Sequence, residues 1–159
     1  MSARVSMIPQ RWSVLLMAFF GAWASADAPA EAPAPQYGAA MNYQLHCEGC
    51  HKADGSGQPG YIPALRDNVA RFLAVPAGRA YLARVPGTSQ SLLNDRERAE
   101  VLNWIVKTFD PQHLRADFAP YTEAELAHWR TDPISQASVE RARVLALIGA
   151  PATTETKPR

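Results

Sequence analysis

The chain spends both of its cysteines within four residues, Cys47-Glu48-Gly49-Cys50, and follows them at once with His51. Two thiols and an imidazole so close together constrain the fold more than any other feature, because whatever they hold must lie against one turn of backbone. A disulfide between Cys47 and Cys50 would close a tiny loop and stabilise little. A thioredoxin-type redox pair calls for strand-helix alternation around it, which the flanking sequence lacks. A structural zinc site takes four ligands, and these residues supply three, crowded together.

Covalent haem attachment uses every residue of the stretch, since C-x-x-C-H is its signature. The thiols of Cys47 and Cys50 form thioethers with the two vinyl groups, and His51 ligates the iron through one ring nitrogen. The expected cofactor is a single haem c with its iron. The covalent link also supports a small core that would otherwise be marginal.

The start of the chain fits this chemistry. Arg4 and Arg11 precede an apolar run from Trp12 to Trp23, which meets Ala24-Ser25-Ala26. A basic start, an apolar segment and an A-x-A site predict a secretory signal over residues 1–26. The run falls short of the ~20 residues that span a bilayer, so no stable membrane span is expected after cleavage. The predicted destination is the bacterial periplasm. Residues 27–36, DAPAEAPAPQ, read as an Ala/Pro-rich linker. Cleavage removes two of the 16 basic residues and none of the 15 acidic ones, leaving one acid in excess. Near-neutrality offers no electrostatic basis for a nucleic-acid partner.

Beyond the signature, the chain carries Asp54-Gly55-Ser56-Gly57, then Gly60-Tyr61-Ile62-Pro63-Ala64-Leu65, and later an amphipathic helix. With these residues it resembles the class I c-type cytochromes over about residues 37–110. The resemblance implies an all-α fold of that class over this range; beyond it the sequence itself reads as a short C-terminal helical extension over 111–150 and a disordered tail over 151–159. It implies that the Pro63 carbonyl accepts the other ring N–H of His51, a bond that orients the ligand and tunes the metal. It also implies two crossing helices, one from about Tyr37 to the cysteines and one from about Asp95 to Thr108. Tyr43 and Trp104 take the aromatic places at the crossing. Val101, Ile105 and Phe109 form one stripe of the later helix.

The chain departs from the family on the far side of the iron. The family's methionine position falls on Val85, just before Pro86 and the Leu93-Asn94-Asp95 helix start. Met1, Met7 and Met17 belong to the signal, and Met41 lies upstream of the cysteines. His46 adjoins Cys47 and cannot easily reach the opposite face. The remaining candidates are His113 or His128 from the extension, Lys107 more weakly, or an open site walled by Val85. Without a thioether ligand the reduction potential should lie below that of Met/His carriers.

In the extension, Thr122 with Glu125 predicts a capping box for a helix to about Arg130. Asp132-Pro133 predicts the start of another helix that ends before Gly149. Arg66, Arg71, Arg79 and Arg84 are candidates for haem propionates or an acidic docking face, or simply solvated side chains. Phe72 and Tyr81 are expected against the porphyrin edge. The expected function is electron transfer by a periplasmic monohaem cytochrome between redox protein partners: a dehydrogenase as donor, an oxidase or second cytochrome as acceptor. The alternative is a haem-based sensor or ligand-binding protein with an open distal iron site. An enzyme is not expected, since no distal acid–base pair stands out.

Overall fold

The computed structural model describes residues 37–149. The expected signal, linker and tail lie outside the described residues. Those residues are all-α. They form no strand, only an isolated bridge between Gln58 and Ile62. No described helix is long and apolar enough to cross a membrane.

Helix α1 spans Ala39–His46 and gives way at Cys47 to a single turn, α2, Glu48–His51. A loop then leads to a 3-10 turn, Val69–Ala74. Pro76 and Pro86 open α3 (Pro76–Arg84) and α4 (Pro86–Ser89), each at a position where a missing N–H costs nothing. The stretch containing Pro86 is therefore helical for one turn.

Helix α5, Asp95–Phe109, is the longest. Asn94 accepts from the Glu97 N–H, and the Glu97 carboxylate accepts from the Asn94 N–H, so both orphan donors are satisfied. One face buries Val101, Leu102, Ile105, Val106 and Phe109. The same helix buries Arg98, 1 % exposed, against Asp95. Helix α1 crosses α5 with the Tyr43 and Trp104 rings 5.1 Å apart and the Tyr43 and Phe109 rings 5.0 Å apart.

After the 3-10 turn Pro111–His113 come α6 (Glu123–Arg130) and α7 (Ala137–Leu147). Two expectations are corrected here. Thr122 caps the Glu125 N–H at 3.2 Å, but the Glu125 carboxylate turns away to Arg79, so half of the predicted capping box forms. Asp132 does not start α7. It pairs with Arg84 at 2.7 Å, and the Arg84 carbonyl accepts from the Ile134 N–H. That clamp keeps the chain irregular until Gln136, four residues later than the sequence predicts. Tyr121, Leu126, Ile134, Val144 and Leu145 join the same buried cluster as Tyr43 and Val106, so the extension is a cover continuous with the core.

Candidate functional site

The cysteines sit where α1 stops. Cys47 leaves helical geometry at φ −125°, yet its N–H still donates to the Tyr43 carbonyl at 2.8 Å. Its own carbonyl accepts from Cys50 at 3.1 Å and from His51 at 2.9 Å, which curls the two cysteines and His51 into one turn. Lys52 then takes φ +63°, and the chain reverses. The reversal is pinned from the core, because the Tyr43 hydroxyl donates to the Lys52 carbonyl at 2.6 Å. Burial, then the nearby Cys47 and acidic groups, push the Tyr43 hydroxyl up to about 12, so it remains a donor at any ordinary pH.

Two glycines make the return loop possible. Gly57 adopts φ +65°, and a Cβ there would run into the Ile62 carbonyl oxygen. Gly55 adopts φ +70°, and a Cβ would lie 2.6 Å from the Phe109 ring. The loop closes with Gly57 N–H on the His51 carbonyl at 3.0 Å and with Leu65 N–H on the Gly55 carbonyl at 2.8 Å. Gln58 and Ile62 exchange backbone bonds at 2.9 and 2.8 Å, which fixes the segment leading into Pro63.

This path brings the Pro63 carbonyl oxygen to 3.2 Å from His51 Nδ1. A carbonyl can only accept, so Nδ1 carries the proton and Nε2 keeps its lone pair. His51 is half-buried, and desolvation lowers its pKa more than the bond to Pro63 raises it. The imidazole is held neutral, in one tautomer, with a free donor atom. Both cysteines are free thiols, Cys47 half-buried and Cys50 exposed. Burial, then Cys50, push the Cys47 thiol up to about 11, so it is neutral too. Among the described residues, no group of three or more His, Cys, Asp or Glu side chains is placed to hold a metal ion.

The other sequence candidates lie elsewhere. Val85 is half-buried at the C-cap of α3 and offers only hydrocarbon. His113 has both ring nitrogens engaged, Nδ1 with Asp110 at 2.5 Å and Nε2 with Arg71 at 2.8 Å. His128 is exposed on α6, its ring against Trp129. Met41, His46 and Lys107 are exposed as well. The four arginines each have a partner within the chain. Arg66 pairs with Asp54, Arg79 with Glu125 and Arg84 with Asp132, while Arg71 reaches His113. Phe72 and Tyr81 stack on each other at 5.2 Å in the core.

Sequence reasoning missed Asp110 and Asn103. Asp110 is fully buried and accepts from the Ala70 N–H at 2.8 Å as well as from His113. Asn103 exchanges two bonds with the backbone of Tyr121, at 2.9 and 2.7 Å. Each polar side chain follows an apolar stripe by one or two positions, so only its distant partner reveals it. No family model matches the chain, and the search of curated proteins finds no relative.

Proposed function

We propose that this chain is an exported, periplasmic class I c-type cytochrome carrying single electrons between redox proteins. The observation that supports this best is the His51–Pro63 bond. It leaves Nε2 unprotonated on the same turn as two free thiols. Two thiols and one imidazole are fewer ligands than a structural zinc ion takes, whereas a porphyrin brings nitrogen ligands of its own and would ask little more of the protein than His51. Cys47 and Cys50 would hold the haem through thioethers and His51 Nε2 would ligate its iron. When bound, the haem supplies the ferric/ferrous couple.

The chain's own groups do the rest. The Pro63 carbonyl holds the ring and its tautomer, and partial negative charge on that oxygen raises the basicity of Nε2. Trp104 and Phe109 pack on the Tyr43 ring, whose hydroxyl anchors the Lys52 carbonyl at the end of the turn. The exposed side of the turn, at Cys50, leaves an edge that a redox protein can approach through a small, transient contact.

Mass spectrometry of the mature protein tests the reading. The expected polypeptide carries the added mass of one haem, keeps its colour in acidified organic solvent, and loses both when Cys47 and Cys50 become alanine. A mature chain weighing no more than its amino acids would overturn it.

One observation favours a second reading, a ligand-binding haem protein. The position of the family's distal methionine is an aliphatic Val85, and His113 is committed to Asp110 and Arg71. Carbon monoxide added to the reduced protein separates the two. Rapid tight binding supports an open distal face, and inertness supports an internal ligand and electron transfer. In both readings the potential lies below that of Met/His carriers, which a redox titration checks.

A further inference from the structure

A cavity of about 310 Å³ opens where the 3-10 turns Val69–Ala74 and Pro111–His113 meet the end of α7. Arg71, His113 and Arg115 form its polar wall, and Ala70, Ala74 and Ile148 its apolar wall. None of the described residues lining it carries a carboxylate. Asp110 stands behind this wall, fully buried, and turns the imidazole so that Nε2 faces Arg71. A guanidinium can only donate, so Nε2 accepts from Arg71.

This leaves Arg71 unusual. Arg66, Arg79 and Arg84 donate to carboxylates, but among the described residues Arg71 donates only to an imidazole. Its position is braced by the imidazole, and among the described residues no carboxylate is in direct contact with it. Arg115 uses Nε and Nη2 on Asp117, which leaves Nη1 free among the described residues. The carbonyls ending α7 at Ile148 and Gly149 add partial negative charge, which disfavours a dianion. The polar wall therefore matches a single negative charge, and the alanines and Ile148 match a short hydrocarbon body.

We propose that this cavity binds a small aliphatic monocarboxylate, its carboxylate on Arg71 and Arg115 and its chain against Ala70, Ala74 and Ile148. The proposal is independent of the haem reading. Calorimetric titration of the whole chain with butyrate tests it, with n-butylamine and inorganic phosphate as comparison arms. Butyrate should bind at one site with a dissociation constant in roughly the millimolar range, as expected for so few atoms. Butylamine should give no saturable heat, and phosphate should bind more weakly than butyrate. Arg71→Gln should weaken butyrate about tenfold, since a charge-assisted bond is lost, and Arg71→Lys should fall between the two. Because Arg71→Gln also releases His113, Ala74→Glu serves as the independent variant. Ala74 is exposed, so the substitution leaves the core intact while placing a like charge in the cavity, and binding should vanish. Absence of saturable butyrate binding, equal binding of phosphate, or binding indifferent to both Arg71→Gln and Ala74→Glu would each overturn the proposal.

Discussion

The turn holding Cys47, Cys50 and His51 and the extension beginning at Pro111 are secured in opposite ways. The turn is shaped by backbone: carbonyls of Tyr43, Cys47 and Glu48 receive its N–H groups, and glycines at positive φ, Gly55 and Gly57 among them, return the chain. Its reactive side chains take little part in holding it, apart from the one bond from His51 to Pro63. The extension is secured by side chains. Arg79 grips Glu125 with two bonds at 2.6 and 2.7 Å, reaches the carbonyls of Ala119 and Pro120, and lies over the Tyr121 ring. Leu126 and Val144 are completely buried beneath it. A segment fixed by its backbone keeps its functional groups available for chemistry. A segment fixed by its side chains has spent them on stability.

That contrast can be broken by substitution. The largest effect should come from Leu126→Ala, which removes a fully buried side chain from the seam between extension and core. A loss of about 2–5 kcal/mol in urea unfolding is expected. If the extension is complete in itself, the same loss should appear in a chain whose Cys47 and Cys50 are alanine. A loss confined to the cysteine-bearing chain would erase the distinction between the two regions.

Gly57→Ala comes next, at about 1–3 kcal/mol, because alanine is strained at φ +65° and its methyl meets the Ile62 carbonyl. Unlike Leu126→Ala, it moves the segment that presents Pro63 to His51, so under the proposed haem attachment the yield of covalently coloured protein should fall as well. Unchanged yield would show that the loop does not serve the turn. Tyr121→Phe deletes one bond, from the hydroxyl to the Arg79 carbonyl at 2.9 Å. Destabilisation of about 1 kcal/mol is expected, with the visible spectrum unaltered. Smallest of all, Arg115→Ala removes an exposed pair with Asp117 and should leave the unfolding midpoint where it was while weakening butyrate.

Much of this architecture was legible in advance. The apolar stripe of Val101, Ile105 and Phe109 and the cap at Thr122 are local patterns, and the helices stand where those patterns put them. The start of α7 was misread because Asp132-Pro133 is an ordinary helix opening unless an arginine from α3 claims the aspartate first. The capping box was half misread for the same reason, since Arg79 offers Glu125 a better partner than a backbone N–H does. In each case a side chain more than forty residues away outcompeted a local bond.

The sequence by itself determined which reactive groups the chain gathers, because a cysteine pair and a histidine within five residues are local facts. It also determined the helices, whose periodicity is written in consecutive residues. Only the tertiary structure decided how His51 is protonated, which histidine is already committed, and that one arginine meets a cavity with no carboxylate in direct contact among the described residues. Those outcomes depend on which distant groups meet, and meeting is settled by packing and by competition for hydrogen bonds across the fold.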